Sequence, residues 1–181
     1  MTKRIKQIRS IVDTLLERDK IAKPPIKVRE IALGQKISIR EDDLGEISGL
    51  IFREGNQVII GVNKSHSDNR KRFTIAHELG HFFLHSENPL YVDKVFAVKL
   101  RDHVSSEAID KDEIEANAFA GELLMPSKFL KEDFSNGKPG VLDYENKDIE
   151  EIIEKLAKRY EVSTQAMTVR LIKLGVIQDI L

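Results

Sequence analysis

The chain has 181 residues, of which 41% are hydrophobic and 33% charged, a composition typical of one soluble globular domain with or without a small appendage. It contains no cysteine, which excludes disulfide scaffolds, thiolate metal sites and cysteine nucleophiles. Its formal net charge of −1 excludes a global electrostatic attraction to nucleic acid or to anionic membranes.

The first predicted element is an amphipathic helix over residues 3–19. Its apolar residues recur at helical spacing: Ile5, Ile8, Ile11, Val12, Leu15 and Leu16. Residues 1–20 are charged throughout and lack the apolar core of a signal peptide. No apolar run in the chain approaches the ~20 residues of a membrane span. We therefore expect a cytoplasmic protein without a membrane-bound segment.

Short strands are predicted after a break at Pro24-Pro25. Three runs have strand character, namely residues 36–40, 47–53 and 57–62. The last two runs are joined by Glu54-Gly55-Asn56, which predicts a hairpin, and a further strand is expected over residues 95–100. We expect a small antiparallel sheet, whose edge offers a place to lay an extended peptide.

The most informative stretch is predicted to be a buried helix from about Asn69 to His85. It contains the sequence His77-Glu78-Leu79-Gly80-His81 among mostly apolar neighbours. Residues four apart lie on the same helix face, so both imidazoles point the same way and suit a tetrahedral zinc ion. Glu78 can reach a water at the metal without ligating it, which is the position of a general base. Because so short a motif also arises by chance, the alternative is two core or surface histidines beside a solvated glutamate.

A catalytic zinc site needs a third protein ligand. The pattern HExxHxxGxxH does not supply it, since Leu84 and Glu87 stand where a glycine and a third histidine are required. The other solution takes a glutamate from a separate, later helix. The helix predicted over residues 107–124 offers two, Glu113 and Glu115.

Glu113 is favoured as the third ligand over Glu115. Asn117 lies four residues after Glu113, on the same helix face, where it could orient a metal-bound histidine. Glu115 shares its face with Phe119, a residue expected in the core. Glu115 remains the alternative ligand. The third possibility is that both carboxylates are exposed to solvent and neither binds a metal.

Two further helices are predicted at the end of the chain, over residues 148–161 and 163–174, with Ser163 as N-cap and Gly175 at the C-terminal end. Their spacing is that of a helix-turn-helix. Residues 146–181 carry six Lys/Arg and six Asp/Glu, a balance of zero. A DNA-binding domain needs an excess of basic side chains to contact the phosphates, so we do not expect direct DNA binding.

These elements predict an α+β fold, in which a small antiparallel sheet packs on the zinc-binding helix and on a second, glutamate-bearing helix. Three regions are expected along the chain. An N-terminal amphipathic helix occupies residues 1–20, a zinc metallopeptidase core residues 21–135, and a helical, helix-turn-helix-like region residues 146–181.

Two blocks of the sequence resemble the ImmA/IrrE family of metallo-endopeptidases. They are residues 73–81, Phe-Thr-Ile-Ala-His-Glu-Leu-Gly-His, and residues 113–126, Glu-Ile-Glu-Ala-Asn-Ala-Phe-Ala-Gly-Glu-Leu-Leu-Met-Pro. The second block is far more specific than HExxH, and the resemblance covers roughly residues 22–175. It implies a gluzincin-like zinc peptidase. Members of that family cleave helix-turn-helix repressors of mobile elements or stress responses, so the resemblance implies a repressor of that kind as the protein substrate.

Two functional classes follow from these observations. In the first, the chain is a Zn²⁺ peptidase with His77, His81 and Glu113 as ligands and Glu78 as general base. In the second, it is a non-cleaving, zinc-containing regulatory module or a toxin–antitoxin-type binding module. Glu78 favours the first class, because a structural zinc site does not use a general base. Candidate oxyanion donors are His85, Tyr91 and His103. The sequence makes no prediction about oligomeric state.

Overall fold

A computed structural model of the chain describes residues 2–85, 90–94, 109–135 and 149–177. Within these ranges the chain forms seven helices and four strands, which confirms the expected α+β class. In chain order they are α1 (Lys3–Arg18), α2 (Val28–Gly34), β1 (Ile37–Asp42), β2 (Ile47–Glu54), β3 (Gln57–Asn63), α3 (Asp68–Leu84), β4 (Leu90–Lys94), α4 (Ile109–Leu124), α5 (Ser127–Ser135), α6 (Ile149–Tyr160) and α7 (Thr164–Lys173).

The four strands form one mixed sheet in the order β1-β3-β2-β4. The hairpin is present as predicted, with β2 antiparallel to β3 and Ile51 opposite Ile60. The expectation of a wholly antiparallel sheet is wrong, because β1 pairs parallel with β3. Strands β1 and β2 do run in opposite directions, but β3 lies between them. Apolar alternation specifies which face of a strand is buried but not which strand becomes its neighbour.

Strand β4 pairs antiparallel with β2 and completes one edge of the sheet. Its residues 90–94 precede the run in which a further strand was expected. That predicted strand, residues 95–100, lies outside the described ranges.

The core lies between the sheet and the pair of helices α3 and α4. Large apolar side chains from each layer are fully buried: Ile51, Ile60, Ile75, Leu79, Phe119 and Leu123. Each such burial stabilises the fold by about 1.5–3 kcal/mol before entropy is counted. Helix α1 adds its own apolar face to the same core with Ile8, Val12, Leu15 and Leu16. The amphipathic pattern of residues 3–19 is therefore explained by packing.

Helices α6 and α7 are joined by a three-residue turn and pack onto the preceding helices. Ser163 caps α7, where its hydroxyl oxygen accepts a hydrogen bond of 3.1 Å from the Ala166 amide, as the sequence predicted. The Tyr160 hydroxyl of α6 donates to Asp133 of α5 at 2.7 Å. These contacts connect the last two helices to the rest of the fold, while the region limits at residues 20, 135 and 146 remain predictions. Across the described ranges, none of the helices combines the length and apolar character needed to cross a bilayer.

Candidate metal centre

Helix α3 buries His77, Glu78 and His81, with side chains of the two histidines at most 2% exposed. The i, i+4 spacing places both imidazoles on one face, as expected for a helix. Their Nε2 atoms lie 3.1 Å apart. Two ring nitrogens this close together could bind one metal ion.

Helix α4 brings Glu113 to the same point. Its two carboxylate oxygens lie 3.1 Å from His77 Nε2 and 3.2 Å from His81 Nε2. The side chain of Glu113 is 32% exposed, so the cluster opens to solvent on this side. The structure thus brings the residue predicted as third ligand to the two histidines, and we call His77, His81 and Glu113 the donor cluster.

The charges of the donor cluster suit a divalent cation. Burial opposes ionisation of Glu113, but the hydrogen bonds with His77 and His81 outweigh it and lower its pKa to about 2. Burial lowers the pKa of His81, which favours the neutral imidazole. An ionised carboxylate and neutral imidazole nitrogens are the protonation states in which these side chains bind metals.

Each histidine of the donor cluster has a partner at its other ring nitrogen. His77 Nδ1 lies 3.2 Å from Asn117 Oδ1, which is the orienting role expected for Asn117. His81 Nδ1 lies 3.2 Å from His85 Nδ1. Glu115, the alternative ligand, contacts His85 Nε2 at 3.0 Å instead of the donor cluster. Such partners fix ring orientation in metal sites.

Gly80 allows α4 to approach α3 closely, a role that sequence reasoning missed. A Cβ atom at Gly80 would lie 2.9 Å from Ala116 Cα and 3.0 Å from Ala116 O. The backbones of the two helices therefore touch where Gly80 meets Ala116, one turn from Glu113. The available signal was a glycine inside a strong helical pattern, which usually has a packing or functional reason.

Glu78 is fully buried and packs against β2. A Cβ atom at Gly49 of β2 would lie 3.2 Å from Glu78 Oε1 and 2.2 Å from Thr74 Cγ2. Gly49 thus leaves the space in which the Glu78 carboxylate lies, and it too was missed by sequence reasoning. Its signal, a glycine within a strand, often marks a close approach of another group.

The three candidate oxyanion donors have different outcomes. His85 is buried, and its ring nitrogens contact His81 and Glu115. Tyr91 lies in β4, whose side chains beyond Leu90 are outside the described set. His103 is outside the described residues. An oxyanion donor therefore stays a prediction.

Comparisons with known proteins support the family suggested by the sequence. The family model for the IrrE N-terminal-like domain of M78 peptidases matches residues 32–171. The chain is 38% identical over 107 residues to metallopeptidase ImmA of Bacillus subtilis strain 168, and the match covers 58% of this chain and 57% of that protein.

A solved structure shares the fold. A Mycobacterium tuberculosis transcriptional regulator superimposes with a TM-score of 0.58 and 18% identity, covering 92% of this chain and 46% of that one. This chain therefore spans 46% of the length of the regulator and 57% of the length of the Bacillus metallopeptidase, less than two thirds of either protein.

The family of these peptidases implies a divalent metal, and the donor cluster is a group of side chains that could hold one. The matching model spans residues 32–171, which is most of the chain and includes both blocks that suggested the relationship. The chain belongs to the ImmA/IrrE family of metallopeptidases.

Proposed function

We propose that this chain is a zinc-dependent endopeptidase, in which His77, His81 and Glu113 hold Zn²⁺ and Glu78 is the general base. One observation carries the proposal. Two helices distant in sequence bring three potential ligands together, with nitrogen–nitrogen and nitrogen–oxygen distances of 3.1 to 3.2 Å. Helix packing alone gives no reason for two buried histidines to face one carboxylate.

The donor set fits zinc. Ligands about 2.0–2.1 Å from a tetrahedral Zn²⁺ are roughly 3.3 Å from one another, close to the distances within the donor cluster. Two histidines and a glutamate form a known ligand set of catalytic zinc, which leaves the fourth position for water or substrate. The partial exposure of Glu113 means that the donor cluster can be reached from solvent.

The residues of the chain then have distinct tasks. When bound, Zn²⁺ supplies Lewis-acid polarisation of the scissile carbonyl and makes a water molecule acidic. Glu78 accepts the proton of the attacking water and delivers it to the leaving nitrogen. Asn117 holds the ring of His77, and burial by β2 keeps bulk water from the Glu78 carboxylate.

We propose a protein substrate, and specifically a helix-turn-helix transcriptional repressor in the cytoplasm, on the strength of the family relationship. The charges of α7 support a protein partner over DNA. Arg170 is only 10% exposed, and it donates to Glu122 and to Met125 O. Of the two cations in α7, Lys173 is thus the one left for a phosphate, whereas DNA binding needs several such contacts.

The variant Glu78→Gln tests the proposal, because an amide cannot accept the proton of water. We expect it to retain zinc, measured by atomic emission, and to lose about 10²–10⁴-fold in cleavage rate. Cleavage is followed by mass spectrometry of purified helix-turn-helix repressors from the same genome. Glu54→Gln, at an exposed position of the β2–β3 hairpin, is the matched control.

The alternative, a non-cleaving zinc module, makes the opposite prediction. Under it, wild type and Glu78→Gln bind zinc and a repressor equally, and neither cleaves it. A wild-type chain that binds no zinc would overturn both.

A further inference from the structure

A line of polar contacts runs from the donor cluster to the N-terminal helix. We propose that His85, Glu115 and Arg4, here called the His81 support, fix the ring of His81 and thereby set the affinity for the metal. These are positioning residues that act through His81. The inference rests on the proposed function and adds to it a role for α1.

The contacts are continuous. His81 Nδ1 lies 3.2 Å from His85 Nδ1, and His85 Nε2 lies 3.0 Å from Glu115 Oε2. The guanidinium of Arg4, in α1, donates to the same oxygen of Glu115. The side chains of His85 and Glu115 are at most 7% exposed, so water competes weakly for these hydrogen bonds.

Only one arrangement of protons satisfies this line when a metal is bound. His81 turns Nε2 toward the donor cluster, so a neutral ring that ligates through Nε2 carries its proton on Nδ1. That proton is donated to His85 Nδ1. His85 then carries its own proton on Nε2, which donates to the Glu115 carboxylate. Glu115 thus fixes the tautomer of His85, and His85 fixes that of His81.

The two ligating histidines are therefore supported differently. His77 has a partner on α4, Asn117, four residues after the ligand Glu113. His81 depends on a longer line that ends at Arg4. Because the family model begins at residue 32, Arg4 lies outside the matched region although it contributes to the same centre.

A second cation site is the competing interpretation of the same residues. His85, Asp112 and Glu115 could together hold an ion, and Asp112 Oδ1 lies 3.4 Å from His85 Nε2. The position of Arg4 argues against it. Its guanidinium already donates to the Glu115 oxygen that faces His85, and this positive charge would repel a cation bound to that oxygen.

The test is the zinc dissociation constant of the full chain, measured by chelator competition at neutral pH. We expect His85→Ala and Glu115→Ala to bind zinc about 10–100-fold more weakly than wild type. Glu115→Gln keeps an acceptor for His85 and should recover most of that loss. Arg4→Ala should weaken binding less than Glu115→Ala. Lys6→Ala, at an exposed position of α1, is the matched control for Arg4.

The visible spectrum of bound Co²⁺ is a second readout, because it reports ligand geometry and is insensitive to general stability. His85→Ala should change this spectrum and Lys6→Ala should not. If His85→Ala fails to fold, the comparison of Glu115→Gln with Glu115→Ala and the Arg4→Ala variant carry the test.

Two results would overturn the inference while leaving the proposed function intact. One is zinc affinity within about twofold of wild type in both His85→Ala and Glu115→Ala, below the tenfold loss expected for such partners. The other is two zinc ions per wild-type chain, one of which disappears in His85→Ala. A wild-type chain that binds no zinc would instead refute the proposed function, and the inference with it.

Discussion

Gly49 lies in β2 where this strand passes the face of α3 that carries Thr74 and Glu78. The positions of both side chains depend on its lack of a Cβ atom, which would lie 2.2 Å from Thr74 Cγ2 and 3.2 Å from Glu78 Oε1. The carboxylate proposed as general base is therefore placed by a residue that has no functional group of its own.

We predict that Gly49→Ala lowers kcat several-fold, by less than the roughly 100-fold effect of a displacement of about 1 Å. Its Cβ atom would lie 3.2 Å from Glu78 Oε1, a contact that shifts the carboxylate by a few tenths of an ångström. Zinc affinity should change little, since the donor cluster lies on other residues. The measurements are steady-state cleavage and chelator competition. Adding Thr74→Ser removes the methyl group that clashes, so the double variant should regain stability but not activity. Wild-type kcat in Gly49→Ala would contradict the prediction.

At the level of residues, most of the candidate site could be predicted from the spacing of residues along the helices. His77, Glu78 and His81 share one helix, so their common location follows from the 3.6-residue period. The preference for Glu113 used the same period through Asn117. Gly49 could not be predicted, because its importance depends on which strand crosses α3, and that is decided by packing between distant parts of the chain.

Helices α3 and α4 meet at Gly80, where a Cβ atom would lie 2.9 Å from the backbone of Ala116. Backbone atoms cannot move aside singly, so Gly80→Ala should push the helices apart and carry Glu113 away from His77 and His81. We predict a loss of about 1–3 kcal/mol in unfolding free energy from overpacking. Zinc binding should weaken in parallel.

Urea unfolding and chelator competition measure these two effects. Gly121→Ala is the matched control, because it lies in α4 with open space around its Cβ position. Alanine there should leave zinc affinity unchanged and add up to about 1 kcal/mol of stability through helix propensity. Equal zinc affinity in Gly80→Ala and Gly121→Ala would show that the close approach is not needed.

Elements were predicted well where their signal was local, and poorly where it was not. Apolar periodicity and caps such as Ser163 define helices within the segment itself. The parallel pairing of β1 with β3 involves residues about twenty positions apart, including Ile39 and Ile60. No local sequence pattern predicts that β3 lies between β1 and β2 in the sheet.

Glu122 connects four helices of the molecule. From α4, its Oε1 accepts hydrogen bonds from the amide and hydroxyl of Ser127 at the start of α5, at 2.9 and 2.8 Å. Its Oε2 accepts a hydrogen bond from Arg170 of α7. Arg9 Nε of α1 lies 3.5 Å from Oε1. Because Glu122 is buried, its charge is stable only while these partners are in place.

We predict that Glu122→Gln lowers the unfolding free energy by about 3 kcal/mol at neutral pH, because it leaves Arg170 without its counter-charge. Burial opposes ionisation of Glu122, but Arg170 and Ser127 outweigh it and lower its pKa below 4.5. A lowered pKa in the folded state gives stability that is complete above the unfolded value and is lost as pH falls through the folded value.

The difference between wild type and Glu122→Gln should therefore shrink as the pH falls below about 4.5. Urea unfolding across the acid range measures this. Glu132→Gln, at an exposed position of α5, should be close to wild type at every pH. A difference that stays constant down to acid pH would show that the charge of Glu122 does not contribute.

The packing of α1 has a consequence for how relatives of this chain are compared. The family match begins at residue 32, yet Ile8, Val12, Leu15 and Leu16 are buried in the common core. A recombinant fragment trimmed to the limits of the alignment would leave apolar surface of the core facing water. Sequence similarity marks the part of a protein constrained by its chemistry. The folding unit is longer than the matched region, because it includes α1, which covers the ligand-bearing helix α4.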